Sequence, residues 1–268
     1  MSSQRAMFLI ACLGLSAAGA GTLTVGEAIK DPRRPAEQRQ LDALRKPAEL
    51  IAFAGVRSGD RIGDFMPGNA YFTRIFSDVV GPAGHVYAFV PSEQLQNCDS
   101  SETVGSLAMA QDPSYTNVTI IRSSLDRFSM PEKLDVLWTA QNYHDLHDAF
   151  LGPPDIAALN RAFFDALKPG GVFLVTDHVA QSGSGIRDTN TLHRIDPERM
   201  RQEIEAGGFV LEETSGVLSN PVDDHSKTVF DPIIRGRTDQ VVMRFRKPVV
   251  SATASRKNGL GCRCATSQ

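Results

Sequence analysis

The densest group of reactive side chains in this 268-residue chain lies just beyond its midpoint. Two histidines, two aspartates and an asparagine fall within residues 142–148. Histidine titrates near neutral pH and can take up a proton, while a neighbouring carboxylate orients its ring. We therefore predict that His144 or His147 acts as a catalytic base and that Asp145 or Asp148 orients it.

Two other interpretations of this segment stay open. Histidine and aspartate also bind zinc and divalent iron, and the His-x-x-His spacing places two rings on one face of a helical turn. Because the sequence fixes no third ligand, we predict no metal site. The segment could instead begin a helix, with Asn142 as its cap and the two aspartates near its amino end. Further candidates for the same site are Asp177, His178 and His193.

Segments with strand-like and helix-like patterns alternate through the body of the chain. Short apolar runs predict strands at residues 61–66, 85–90, 118–121, 134–138, 172–176, 209–217 and 240–245. Helical spacing over residues 70–80, 156–167 and 197–206 supplies the crossovers that parallel strands need. Residues 218–238, between the last two strands, show no helical pattern. We predict a single three-layer α/β domain with a seven-stranded, mostly parallel sheet and one antiparallel edge strand.

Ligands of open α/β sheets bind beyond the carboxyl ends of the strands, and the first such end reads DFMPGNAYFT at residues 64–73. This stretch resembles motif I of the class I S-adenosylmethionine-dependent methyltransferases, in which an acidic residue precedes alternate glycines and a helix. GDRI at 59–62, GHVYA at 84–88 and LKPGG at 167–171 also match family positions. The resemblance covers residues 47–247 and is greatest to a group of predicted exported methyltransferase-like proteins.

The resemblance implies a Rossmann-like three-layer sandwich, S-adenosylmethionine as cofactor and methyl transfer to an unknown small-molecule acceptor. It further implies that Asp64 receives the amino end of the cofactor, that Asp126 meets the adenine and that Asn142 holds the cofactor carboxylate or the acceptor. The cofactor-binding residues predicted in this way are Asp64, Gly68, Asn69, Tyr71, Asp126 and Asn142.

The chain departs from the family pattern at three positions. Met66 and Ala70 stand where motif I has glycine, so that only Gly68 remains. Val90 stands where the family usually has a carboxylate for the ribose hydroxyls, and its side chain cannot accept a hydrogen bond. Glu93, three residues further on, could substitute for it.

Two alternatives to a methyltransferase therefore remain. The first is a catalytically degenerate protein that keeps the fold and binds a ligand. The second is a metal-assisted enzyme that uses the cluster of His144 and His147. Export of the chain would favour the first alternative, because S-adenosylmethionine is made in the cytosol.

The first twenty residues predict a secretory signal peptide. Arg5 precedes an apolar run over residues 6–15, and small residues follow up to Ala20. We predict cleavage after Ala20 and export, to the periplasm, of a protein without stable membrane insertion. The remaining divisions that we predict are an N-terminal arm at 21–46, a methyltransferase-like domain at 47–248 and a flexible tail at 249–268.

The composition fits a folded protein that acts on a small molecule. Hydrophobic residues make up 41% of the chain and charged residues 22%, enough for a packed core. The net charge of −3 provides no positive field to attract a polyanion, so we predict no nucleic-acid partner. Four cysteines in a chain of this length do not form a disulfide scaffold.

Overall fold

The computed structural model describes residues 21–97, 103–152 and 154–249. The predicted signal peptide, residues 1–20, lies outside the described residues, as does the predicted tail from residue 250 onward. Across these described ranges, every helix is too short or too polar to cross a membrane.

One sheet of seven strands organises the chain. The strands are β1 (Arg61–Phe65), β2 (His85–Pro91), β3 (Val118–Ser123), β4 (Leu134–Ala140), β5 (Leu167–His178), β6 (Val210–Ser215) and β7 (Gln240–Arg246). Their order across the sheet is β3-β2-β1-β4-β5-β7-β6. Neighbours among β1 to β5 pair in parallel, whereas β7 pairs antiparallel with both β5 and β6. The predicted fold class is confirmed, with the antiparallel strand β7 lying between β5 and the edge strand β6.

Helices fill most of the connections between these strands. The α-helices are α1 (Val25–Lys30), α2 (Ala36–Gln40), α3 (Asp42–Arg45), α4 (Pro47–Ala54), α5 (Tyr71–Val80), α6 (Ser92–Asn97), α7 (Val104–Met109), α8 (Ile156–Ala166), α9 (Thr189–Leu192) and α10 (Pro197–Ala206). Asp196 caps α10 by accepting a hydrogen bond from Glu198 N at 3.0 Å, and Pro197 occupies the first turn. Both residues follow the usual preferences for the start of a helix.

The two faces of the sheet bury separate apolar cores. Alternate residues of a strand point to opposite faces, so Ile62 and Phe65 of β1 belong to different cores. On one face Phe65 meets Phe163 of α8, with ring centroids 4.9 Å apart. On the other face Trp138 of β4 packs on Phe76 of α5 at 5.0 Å. Packing on both sides fixes the strand ends, and with them the loops that follow.

The turn between β1 and α5, residues 66–70, adopts the left-handed conformation three times. The φ angles are 56° at Met66, 54° at Gly68 and 60° at Ala70. Left-handed backbone costs a residue other than glycine about 1–2 kcal/mol. Hydrogen bonds offset this cost, since Met66 N donates to Phe89 O and Ala70 N donates to Pro67 O, each at 2.9 Å. The turn therefore adopts left-handed backbone at two positions that do not carry glycine.

We predict that Ala70→Gly leaves the free energy of unfolding within about 0.5 kcal/mol of the wild type, because two effects oppose each other. Relief of the left-handed conformation contributes about 1 kcal/mol, and loss of one buried methyl group costs about 0.8 kcal/mol. The control Ala88→Gly, at an equally buried position of β2, has no strain to relieve and should cost about 1–2 kcal/mol. Urea unfolding measures both changes, and equal losses would contradict this interpretation of the turn.

Candidate functional site

A cavity of about 1080 Å³ lies at the carboxyl ends of β1, β4 and β5. The β1–α5 turn and the segment after β4 both line it. Asn142 joins these two walls, because its Nδ2 donates to Met66 O at 2.9 Å and to Ala140 O at 2.8 Å. His178 at the end of β5 and His193 after α9 also face this space. The two segments that the sequence marks as reactive therefore meet in one cavity.

Six of the predicted site residues line the cavity: Gly68, Asn69, Tyr71, Asn142, His144 and Asp145. Three others, Asp64, Asp126 and His147, do not belong to its lining. Asp126 is exposed, and it accepts a hydrogen bond from the hydroxyl of Ser124. The structure thus brings together the predicted residues from the turn and from the segment after β4, but not the one that follows β3.

His147 faces α10 and not the cavity. Its Nε2 lies 3.0 Å from Glu203 Oε2, and the hydroxyl of Tyr143 donates to the same oxygen at 3.2 Å. Arg199 Nε donates to the other oxygen of Glu203, Oε1, at 2.6 Å. The pairing of His144 with His147, on which the predicted metal-assisted alternative depends, does not form, because Glu203 holds His147 away from the site.

His144 is held between two carboxylates in a short 3-10 turn (His144–His147). Asp177, at the end of β5, accepts from His144 N and from His144 Nδ1, each at 2.7 Å. The ring nitrogen on the other side, Nε2, lies 3.0 Å from Asp145 Oδ1. Asp177 also accepts from His178 N at 2.7 Å, so a fully buried carboxylate has three donors.

The charge on His144 follows from this arrangement. Burial alone would lower the pKa of His144, but the charges of Asp177 and Asp145 outweigh it and raise that pKa well above the usual value. Burial would likewise raise the pKa of Asp145, yet the His144 charge lowers it to about 2. In this protonation state His144 supplies charge and position, and the predicted role as a base would require loss of one of its two ring protons.

His178 is the uncharged imidazole of the site. Its Nδ1 lies 2.7 Å from Thr238 Oγ1, and burial lowers its pKa to about 3. His193 has a left-handed backbone, with φ of 53°, and its Nδ1 lies 3.6 Å from Asp145 Oδ1. Both histidines line the cavity, so three imidazoles and one carboxylate occupy the end next to β4 and β5.

Asp64 lies beneath the β1–α5 turn. Its Oδ2 accepts a hydrogen bond from Thr73 Oγ1 in α5 at 2.6 Å. Burial raises the pKa of Asp64 to about 7, and the Thr73 bond opposes this only in part. The carboxyl therefore ties β1 to α5 beneath the turn, whereas Gly68 and Asn69 of the turn border the cavity.

The N-terminal arm forms part of the cavity wall. Gln38 of α2 lines the cavity, and its Nε2 donates to Asn69 O at 2.8 Å. Tyr71, at the start of α5, donates to Asp42 Oδ1 at 2.5 Å. Asp42 in turn pairs with the buried Arg34 at 2.8 Å. The sequence predicts an arm but gives no sign that it reaches the site, because Gln38 and Asp42 contact residues 31 and 29 positions further along the chain.

Gln94 is a cavity residue that the sequence analysis missed. It lies in α6, directly after β2, and is 6% exposed. Its Oε1 has no hydrogen-bond partner within the described residues although it is buried. Glu93, the predicted substitute for the ribose carboxylate, accepts from Leu125 N through Oε1 at 3.0 Å, and its buried Oε2 has no hydrogen-bond partner among the described residues. The signal that could find Gln94 is its position one helical turn beyond the end of β2.

Comparison of sequences finds no protein-family model that matches this chain and no curated protein that is similar to it. Comparison of structures finds many matches. An S-adenosylmethionine-dependent methyltransferase from Aquifex aeolicus matches with a TM-score of 0.53 and 14% identity over 85% of this chain and 100% of that chain. Another from Mesorhizobium loti matches with a TM-score of 0.51 and 18% identity over 77% of this chain and 99% of that chain.

The chain has the fold of S-adenosylmethionine-dependent methyltransferases. The same fold also occurs in the [4+2]-cyclase SpnF, which matches with a TM-score of 0.54 and 18% identity over 87% of this chain and 88% of that chain. At such identities the likeness shows architecture, and the chemistry must come from the residues of the cavity.

We predict that Asp64→Asn becomes more stable relative to the wild type as the pH rises from about 4 to about 7. The folded pKa of about 7 exceeds the unfolded value of about 3.9, so unfolding releases a proton in this window and wild-type stability falls. Across this pH window the free energy of unfolding of the wild type falls by about 4 kcal/mol relative to that of the variant. The amide oxygen of the variant still accepts from Thr73. Urea unfolding at several pH values tests this, and a constant difference between the two proteins would contradict it.

We predict that His144→Ala lowers the free energy of unfolding by about 3–5 kcal/mol, because it leaves Asp177 buried without its charged partner. The matched control His147→Ala lies in the same turn and should cost about 1–2 kcal/mol, since Glu203 keeps its bonds to Arg199 and Tyr143. Thermal or urea unfolding compares the two variants. If His144→Ala cost no more than His147→Ala, the contacts of His144 with Asp177 and Asp145 would contribute little to stability.

Proposed function

We propose that this chain is an S-adenosylmethionine-dependent methyltransferase with a small-molecule acceptor. The observation that carries the proposal is one cavity lined by both the left-handed β1–α5 turn and the polar cluster of His144, Asp145, His178 and His193. A turn of this kind lets a ligand approach the backbone closely, and the cluster can bind an acceptor beside it.

The cavity fits a nucleoside cofactor in size and in chemistry. Binding pockets for small molecules usually measure about 300–1,000 Å³, so a cavity of about 1080 Å³ has room for a cofactor and a small acceptor. Gln94 Oε1 is a buried acceptor without a donor, and hydroxyl or amino groups of an adenosyl moiety would satisfy it. This hydrogen bond to Gln94 would take the place of the one that the side chain of Val90 cannot accept.

The residues that would hold the cofactor follow from these contacts. The backbone at Gly68 and Asn69 borders the cavity, and Gln94 faces it from the side of β2. Both Nδ2 protons of Asn142 are engaged, which leaves its Oδ1 to accept from an amino group. When bound, S-adenosylmethionine would supply an activated methyl group.

The acceptor would lie against the histidine end of the cavity. In the tautomer in which His178 Nδ1 donates to Thr238 Oγ1, its Nε2 is left to accept a hydrogen bond from a hydroxyl or amine. Asp145 is ionised at any physiological pH and can orient the same group. The walls formed by the arm and the β1–α5 turn enclose this space on the side of α2. Such a shape suits a compact acceptor better than a polymer.

Calorimetry with S-adenosylmethionine and S-adenosylhomocysteine tests the proposal. We expect saturable binding that Gly68→Ala weakens by about tenfold or more, because Gly68 lines the cavity and a side chain there restricts how closely a ligand can approach the backbone of the turn. Gly55→Ala is the matched control: Gly55 is also left-handed, with φ of 73°, and its added methyl group meets no atom within 4 Å. Gly55→Ala should lower the free energy of unfolding but leave the affinity for both ligands unchanged.

Failure of the proposal has a clear signature. Absence of heat and of a thermal shift with either ligand at millimolar concentration would exclude cofactor binding. The chain would then be a binding protein that keeps the fold without the cofactor. Equal weakening by Gly68→Ala and Gly55→Ala would show that the turn does not contact the ligand.

A further inference from the structure

Three potential metal-ligating atoms converge at the histidine end of the cavity. They are His144 Nε2, Asp145 Oδ1 and His193 Nδ1, and all lie within 4.8 Å of one another. The first two are 3.0 Å apart, and the last two are 3.6 Å apart. Each of the three residues lines the cavity.

These separations suit a small divalent cation. With metal–ligand bonds of about 2.0–2.2 Å in a tetrahedral arrangement, the ligand atoms stand about 3.4 Å apart. The separations of 3.0 Å and 3.6 Å lie on either side of that distance, and the two ring nitrogens lie within 4.8 Å of each other, so a cation requires the His193 ring to move closer to His144. Two imidazoles and one carboxylate favour zinc or divalent iron over magnesium or calcium, which prefer oxygen ligands.

Asp177 already occupies the position of an outer carboxylate. Histidine ligands of metals usually donate their second ring N–H to a carboxylate, which fixes the ring orientation. His144 does this, since Nδ1 donates to Asp177 Oδ1 at 2.7 Å and Nε2 is directed at Asp145. Binding of a cation would displace the Nε2 proton to solvent.

A second, independent observation is an unpartnered carboxylate beside the cluster. Asp148 is fully buried, and neither of its oxygens has a hydrogen-bond partner within the described residues. The hydroxyl of Thr189 donates to Ile186 O at 3.2 Å and acts on Asp148 only as a second, weaker contact. Asp148 Oδ2 lies 3.8 Å from His193 Nδ1. A buried carboxylate without donors is costly, and a nearby cation would compensate for it.

We propose that His144, Asp145 and His193 bind one divalent transition-metal ion, zinc or iron, at the cavity end next to β4 and β5. Three protein ligands leave at least one coordination position for water or for an oxygen or nitrogen atom of a cavity ligand. This site uses His193 where the sequence suggested His147, and it does not depend on the binding of S-adenosylmethionine.

Metal titration of the full chain, expressed without an affinity tag and freed of metal by a chelator, tests the site. We expect one Zn²⁺ or Co²⁺ per chain, with visible Co²⁺ absorption bands typical of nitrogen and oxygen ligands. His193→Ala should lower the affinity by more than about tenfold, and Asp177→Asn by about 10–100-fold through loss of ring orientation. Circular dichroism confirms that each variant is folded.

Two controls separate this site from others in the chain. His85→Ala removes a histidine at the start of β2, at the opposite end of the strands, and should leave the affinity unchanged. Replacement of Cys262 and Cys264 by serine should also have no effect. Absence of stoichiometric binding, or equal affinity in the wild type and His193→Ala, would overturn the proposal. Loss of the metal from the cysteine variant would overturn it too. None of these outcomes bears on S-adenosylmethionine binding, which is measured separately.

Discussion

The buried carboxylate of Asp177 is the contact on which the arrangement of the site depends. It accepts from the backbone and ring of His144 and from the backbone of His178, so the segment after β4 is fixed to the end of β5. Asn142 makes the corresponding link to the β1–α5 turn through Met66 O. Two polar side chains thus join three strand ends. Because Asp177 is fully buried and both Nδ2 protons of Asn142 are engaged, the cavity that they border has a defined shape.

Periodicity was sufficient to predict the architecture. Short apolar runs gave all seven strands, and the absence of a helical pattern between β6 and β7 indicated their antiparallel pairing. The rule that ligands bind beyond the carboxyl ends of parallel strands placed the turn and the segment after β4 in one site, and they meet there. These predictions depend on local pattern and on general topology, both of which a single sequence contains.

Side-chain direction within the site was less predictable. His147 turns away from the cavity because its Nε2 pairs with Glu203, which lies 56 residues further along the chain. Gln94 reaches the cavity from α6, a short helix whose placement depends on tertiary packing, whereas His193, a candidate named from the sequence, reaches it from the position after α9. Met66 and Ala70 illustrate the opposite case, since their residue types suggest a lost glycine-rich turn, yet the backbone keeps its left-handed angles. A hydrogen bond to β2 and another within the turn there outweigh the local preference.

The N-terminal arm has a consequence for how the chain can be divided. The core that contains α5 and Trp138 extends to Ala28 of α1, and Gln38 and Asp42 in the helices that follow contact the site through polar bonds. The arm is therefore part of both the folded core and the wall of the cavity. A truncation before α4 would uncover apolar surface of the core and would also remove one side of the chamber in which ligands bind.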